Sequence, residues 1–244
     1  MTRLLSADAP GYRPLYRQVY DVVVRRIARG VWRAGDALPS EQALARELGV
    51  SQGTVRKVLD ALTAEKLLER RQGKGTYIAE NTQERALFRF FRLAHRDGPR
   101  ATPASDGETV EVRAARPLDC AKLDLAKGER VVEIRRTRRI DGRPAILERI
   151  VAPSLLFPGL EARLPLPNTL YSLYQTAYDV NITAAHEQLS ADLATADDAA
   201  RLGVAEGSPI LCIDRIAESL ERQKVEWRSS RCAGADLVYA VTLT

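Results

Sequence analysis

The sequence predicts an α+β chain of two unlike parts, an N-terminal winged helix-turn-helix joined to a C-terminal antiparallel-sheet domain. Three observations carry the prediction. Apolar residues recur at helical spacing behind small polar residues as far as Leu62. From Thr109 onward the texture changes to short alternating runs bounded by turn residues. The charge is also lopsided: residues 1–80 hold 14 Lys+Arg against 9 Asp+Glu, a net of +5, whereas residues 81–244 hold 23 of each. An excess confined to one third of the chain suggests a polyanion-binding module joined to a neutral one.

The first domain is expected over residues 12–79. In "PLYRQVYDVVVRRIARG" Leu15, Val19, Val23 and Ile27 fall on one helical face, among Arg17, Arg25, Arg26 and Arg29. Gly30 ends that helix. Ser40 reads as the N-cap of "EQALARELG", with Leu44 and Leu48 on one face and Gly49 as the stop. Ser51 caps the next helix, where Val55, Val58, Leu59 and Leu62 keep the i, i+3, i+4, i+7 spacing. Two helices around a short Gly-containing turn make a helix-turn-helix. "LLERRQGKGTYIA" follows as two strands about a Gly-Lys-Gly tip, a wing.

This arrangement suits double-stranded DNA. A helix fits the major groove, and helix N-termini with small hydroxyls bind phosphates. Ser40 and Ser51 stand at such N-termini. Gln52, Thr54 and Arg56 lie away from the apolar face of the third helix and can enter a groove: Arg suits guanine, Gln suits adenine, Thr a phosphate or a thymine methyl. Gly53 removes bulk at the same surface. In the wing, Gly73 and Gly75 permit a tight turn, and Arg70, Arg71 and Lys74 supply charge. The bland alternative is a charged three-helix domain whose polar face meets only water.

Residues 80–108 begin helix-like and end in Pro, Gly and Ser, and are expected as linker and entry to the second domain, residues 109–244. Strands are expected in "TVEVRAA", "RVVEIRRTRRI", "PAILERIV", "VNITAAHEQLSA", "SPILCIDRIAES", "QKVEWRSSR" and "LVYAVTL". Two helices interrupt them, one capped at Asn168 and one at Thr195 with Asp197 and Asp198 in its first turn. In "RVVEIRRTRRI" the period of two puts Val132, Ile134, Arg136, Arg138 and Ile140 on one face. Two arginines thus continue an apolar face, where a charge needs a partner. Either they form an internal ion pair with Glu148 or Glu226, or they end an exposed strand, or they hold an anionic ligand.

The first stretch resembles the winged-helix domain of GntR-type bacterial transcription regulators, carried by "LPSEQALARELGVSQGTVRKVLDALTAEKLLERRQGKGTYI". The resemblance implies DNA contacts from Ser40, Gln42, Ser51, Gln52, Thr54, Arg56, Gln72 and Gly73, beside the wing charges Arg71 and Lys74. Gln52 stands where the family commonly has Arg. Residues 82–244 resemble the UTRA domain of the HutC branch, a chorismate-lyase-like fold that senses small molecules. "RRTRRIDGRPAILERI", "LYSLYQTAYDVNITAAHEQLSA", "LGVAEGSPILCIDRIAES" and "KVEWRSS" carry that resemblance. It implies a pocket in which Arg136 and Arg138 take an anion and Glu148, Ser172, Tyr174 and Glu226 line the rest. Tyr174 also lies on its helix's apolar stripe, where it would be core. "SSRCAGADLVY" departs from the family's Arg-Gly-Asp element, and Arg231 stands near enough to replace the missing arginine.

The expected function is a DNA-binding transcriptional regulator, a repressor, whose operator affinity is set by a small phosphate or carboxylate effector. The alternatives are a constitutive DNA-binding dimer and an enzyme on a lyase-like fold. No GxSxG, HExxH, Walker loop or Cys-His pair is present. Cys120, Cys212 and Cys232 have no metal spacing, so neither metal nor cofactor is expected. A homodimer on a palindromic operator is expected, because one winged helix reads few base pairs. No run of about 18 apolar residues occurs, and residues 1–12 lack a hydrophobic signal core, so a cytoplasmic protein with no membrane partner is expected.

Overall fold

The computed structural model describes residues 14–80, 90–98, 101–234 and 236–242. The expected start of the first domain at Tyr12, and much of the expected linker, lie outside these residues. The chain divides into two compact units, residues 1–81 and 82–244.

In the first unit α1 (Leu15–Ala28), α2 (Glu41–Leu48) and α3 (Gln52–Ala64) precede the hairpin β1 (Leu68–Arg71) and β2 (Gly75–Ile78). Both expected caps form: Ser40 Oγ accepts from the Ala43 amide at 3.2 Å, and Ser51 Oγ from the Thr54 amide at 3.1 Å. Each satisfies an amide that the helix itself leaves unpaired. Gly49 closes α2 in the left-handed region at φ 67°, a conformation glycine adopts without strain. Val19, Val23, Ile27, Leu44, Val55, Val58, Leu59, Leu62 and Ile78 are buried together, as the helical spacing requires. The hairpin pairs Leu68 with Ile78 and Arg71 with Gly75, leaving residues 72–74 as its tip.

The second unit contains a six-stranded antiparallel sheet in the order β4-β5-β6-β9-β8-β7, formed by β4 (Ala104–Ala114), β5 (Arg130–Ile140), β6 (Arg143–Pro153), β7 (Ile182–Leu193), β8 (Pro209–Ser219) and β9 (Lys224–Cys232). A separate ribbon pairs β3 (Leu93–His95) with β10 (Leu237–Tyr239). Residues 80–108 are therefore not simply a connection: they hold β3 and the start of β4, which begins five residues before Thr109. The last expected strand is short, because only residues 237–239 find a partner in β3.

One sheet face packs Val132, Ile134, Ile150 and Ala152 against Phe157, Leu160 and the helix α5 (Leu170–Tyr178). The opposite face packs Val131, Val151 and Trp227 on Leu123 of a helix not foreseen from sequence, α4 (Pro117–Leu123). Its start follows from chemistry: Pro117 has no amide to leave unpaired, and Asp119 reaches back to the Arg116 amide at 2.8 Å. Leu147 and Ile210 meet Leu202 of α6 (Ala196–Leu202), which Thr195 caps reciprocally with Asp198. The N-cap position of α5 is Thr169 rather than Asn168, no side chain caps it, and the Asn168 side chain is engaged elsewhere.

The α4 face contains a buried carboxylate, Glu133. Arg113 Nε (2.8 Å), Arg149 Nη2 (3.0 Å) and Arg135 Nε (2.7 Å) all donate to it. Burial pushes its carboxyl up, but Arg149, Arg113 and Arg135 outweigh burial and lower it to about 2. A depressed folded pKa means the stabilisation is complete above the unfolded value of about 4.3 and lost as pH falls toward the folded one. Thermal melts should therefore weaken between about pH 5 and pH 2. Glu133→Gln should lower stability at pH 7 by about 3–5 kcal/mol, since three guanidiniums lose their shared anion, and should flatten that acid limb. Parallel pH–stability curves for the two proteins would contradict this.

Candidate nucleic-acid interface and ligand pocket

Helix α3 turns Val55, Val58, Leu59 and Leu62 inward and leaves Ser51, Gln52, Gly53 and Arg56 exposed, with Thr54 half-buried. Ser40 and Gln42 are exposed at the start of α2, and Arg71, Gln72, Gly73 and Lys74 are exposed at the wing. All ten sequence-predicted interface residues thus have surface to offer. Ser51 Oγ and Thr54 Oγ1 lie 2.9 Å apart, so the hydroxyls at the α3 N-terminus are mutually positioned. A Cβ built on Gly53 would meet only Ser51 Oγ, at 3.9 Å. Its lack of a side chain answers no crowding inside the protein. Arg71 stacks its guanidinium 4.2 Å from the Tyr77 ring centroid and bonds Glu69 at 2.6 Å, which stiffens the wing.

One residue of this face was not singled out from sequence. Glu41, the first residue of α2, accepts at Oε2 from Arg56 Nε (2.9 Å) and Gln52 Nε2 (3.2 Å), and the same oxygen is ion-paired with Arg56 Nη2 at 2.8 Å. Its Oε1 lies 3.6 Å from Arg70, which also pairs with Asp60 at 2.6 Å. These bonds, Arg56 foremost, hold the Glu41 carboxyl below its ordinary range and raise the Arg56 guanidinium. An acid one residue after a cap reads locally as a dipole partner; its link to α3 is tertiary.

In the sheet unit, Arg136 and Arg138 are both buried, and both meet Glu148. Arg136 Nε donates at 2.6 Å and Arg138 Nη1 at 3.4 Å to the same oxygen. Arg228 reaches the other oxygen at 3.2 Å. Arg138 Nη2 also donates to Asn168 Oδ1 at 2.7 Å, and Asn168 Nδ2 in turn bonds the Pro103 carbonyl. Glu226 lies behind this layer, accepting from Arg228, Tyr171 (3.1 Å) and Tyr174 (2.9 Å). On the far side Arg215 bonds Glu187 at 2.7 Å and the Phe90 carbonyl. The cluster sets four guanidiniums against the three carboxylates Glu148, Glu226 and Glu187, an excess of one positive charge.

Burial pushes Glu148 up, yet Arg136, Arg228 and Arg138 together hold it well below the carboxylate range. Burial lowers Arg138 to about 10 despite Glu148. Tyr171 is pushed up to about 12 and Tyr174 well above its ordinary value, by burial and by Glu226, so both hydroxyls stay protonated as donors.

Beside this cluster is a cavity of about 50 Å³, lined by Arg136, Arg138, Glu148, Asn168, Thr169 and Arg228 among others. That is room for a small group, since one water needs about 10–15 Å³ on this measure. Three buried atoms of its lining residues have no hydrogen-bond partner among the described residues: Arg136 Nη2, Arg138 Nε and Thr169 Oγ1. Thr169 is the N-cap of α5, yet its hydroxyl does not cap.

Of the sequence-predicted pocket residues, Arg136, Arg138 and Glu148 converge on the cavity. Glu226 supports it from behind. Tyr174 is core, fully buried against Phe157 at a ring separation of 4.2 Å. Ser172 does not line the cavity: it is the third residue of α5, and its carbonyl accepts from Thr176. Arg231 does not replace a pocket arginine. It lies on the other face of β9, bound to Asp192 (2.7 Å) and Asp198 (2.9 Å). Arg215, Arg228, Asn168 and Thr169 were missed, although period-two counting from Glu226 already puts Arg228 on its face.

A family model described as bacterial regulatory proteins, gntR family, matches residues 15–78, and a UTRA domain model matches residues 101–237. The chain is 32% identical to the mannosyl-D-glycerate transport/metabolism system repressor MngR of Escherichia coli over 205 residues, 82% of this chain and 84% of that protein. It is 30% identical to the histidine utilization repressor of Pseudomonas putida over 217 residues, 88% and 86% of the two chains. Among solved structures, the ligand-binding domain of a regulator assigned to the GntR family from Bordetella bronchiseptica aligns with a TM-score of 0.60 at 28% identity, covering 64% of this chain and 98% of that one.

Proposed function

The chain belongs to the GntR family of bacterial regulatory proteins and carries a UTRA domain, and on that premise we propose that it is a homodimeric repressor released from or recruited to its operator by a small anionic effector. DNA binding and transcription regulation come with the family; the effector, its charge and the dimer are our reading.

The observation that carries the reading is the trio of unpartnered buried polar atoms on residues that line the cavity of the sheet unit. A buried donor without a partner costs about 1–3 kcal/mol, and more when charged. A cavity lined by three such residues, in surroundings with one excess positive charge, complements a carboxylate or phosphate. Arg136, Arg138 and Thr169 would hold the anion at the N-terminus of α5, where the helix dipole adds to the attraction. Thr169 takes the role first expected of Ser172. Two relatives are named for systems that handle mannosyl-D-glycerate and histidine, both carboxylates. A constitutive DNA-binding dimer would need no such donors, and a lyase-like enzyme would need a reactive group beside them. A difference of about 1–3 kcal/mol in operator affinity between the two effector states is enough to regulate.

In a thermal-shift screen of inorganic phosphate, D-glycerate, histidine and sugar phosphates, a bound effector at one hundred times its Kd should stabilise by about 2.7 kcal/mol. Arg138→Gln should fold and bind DNA yet lose that shift. Stabilisation by no anion, or an undiminished shift in Arg138→Gln, would refute the pocket.

Base and phosphate contacts should separate in salt-titrated binding. Arg56→Ala should cost about 1–3 kcal/mol on specific DNA and relax preference at one position per half-site, whereas Lys74→Ala should weaken all sequences alike and flatten the salt slope.

Light scattering should show two chains per particle and two per operator, because isologous pairing doubles the contacts and sets half-site spacing. A monomer that binds a full site would exclude the dimer.

A further inference from the structure

We infer that Glu41 is a positioning residue for sequence reading: one carboxylate on α2 orients both groups that α3 would present to the bases. The inference rests on the proposed DNA-reading role of Gln52 and Arg56 and goes beyond it by saying what sets their geometry.

The hydrogen-bond inventory is decisive. A guanidinium has five N–H groups in a planar fork. Glu41 Oε2 accepts from Nε–H at 2.9 Å and lies 2.8 Å from Nη2, along the side edge of the Arg56 fork. The end edge, with one N–H on each terminal nitrogen, remains, and that is the pair a guanine O6 and N7 accept. The same oxygen accepts from Gln52 Nε2 at 3.2 Å. A carboxylate cannot donate, so the Gln52 amide must turn its nitrogen toward Glu41. Its carbonyl oxygen and second N–H are left, the donor–acceptor couple that adenine N6 and N7 require. Glu41 therefore occupies the side edge of Arg56 and one amide N–H of Gln52, and each side chain keeps a pair matched to one base.

Exposure fits this role. The Arg56 side chain is 57% exposed, whereas that of Glu41 is 22% exposed. The anchor is sheltered and the reading head is not. Long side chains on a surface helix sample many rotamers, and holding them in the bound geometry reduces the entropy lost on association. Glu41 also lies 3.6 Å from Arg70 on the wing strand β1, so the anchor spans α2, α3 and the wing.

The full-length protein would first select duplexes from a random-sequence library. Affinity would then be measured on a selected duplex, on its single-base variants and on a scrambled duplex. Glu41→Gln should lower affinity for the selected duplex about tenfold and broaden preference at the positions read by Gln52 and Arg56. It should leave scrambled-duplex affinity and the melting temperature unchanged. Glu47→Gln, the same chemical change on the same helix, serves as the charge control. In a Gln52→Ala, Arg56→Ala background, Glu41→Gln should have no further effect. The inference is overturned if Glu41→Gln matches Glu47→Gln, if it shifts selected and scrambled duplexes equally, or if it still acts in the double-variant background. Should Arg56→Ala leave selected-duplex affinity intact, the reading role of α3 itself fails, a result distinct from failure of the anchor alone.

Discussion

Glu148 bears its charge in the middle of a six-stranded sheet, almost fully out of water, where the guanidiniums of Arg136, Arg138 and Arg228 reach it from β5 and β9. Removing an ion from water costs several kcal/mol, so the buried carboxylate needs cationic partners close by. That requirement constrains the fold. Glu148 pairs across the sheet with Arg136 on one side and Ser230 on the other. A one-residue slip of β6 would send Glu148 to the α4 face and bring Arg149 to the arginine cluster. The ion cluster thus specifies register more than it adds stability.

Both units solve the same chemical problem in opposite settings. In the winged helix the carboxylate of Glu41 gathers Arg56, Gln52 and Arg70 at a surface, where each side chain stays within reach of solvent. In the sheet unit Glu148 and Glu226 gather arginines and tyrosines in a nearly dry interior. Screening makes the first arrangement adjustable, suited to exchanging protein contacts for a polyanion. Low local dielectric makes the second stiff, suited to registering one additional small charge.

Much of this was legible before any coordinates. The caps Ser40, Ser51 and Thr195 are local signals, because a cap bonds an amide three residues away. The face carrying Arg136 and Arg138 followed from strand alternation alone. The misses share another character. Helix α4 has only seven residues and escaped periodicity. Asn168 resembles a cap in sequence but is drawn to Arg138, thirty residues away, and the N-cap position falls on Thr169, whose side chain makes no cap bond. Ser172 was given a role that depends on the rotation of α5 against the sheet, which no local pattern specifies.

The sequence by itself determined the two-part architecture, the polar face of α3, the basic wing and the placement of two arginines on an apolar strand face, because these depend on periods of 3.6 and 2 and on chemistry within one helical turn. Only the tertiary structure decided that Glu148 would be shared among arginines of three positions, that Glu41 would orient Gln52 and Arg56, and that Arg231 would turn to the opposite face from the cavity. Those contacts join residues up to 80 positions apart. They exist only once the strand order β4-β5-β6-β9-β8-β7 and the crossing of α2 with α3 bring the side chains within bonding distance.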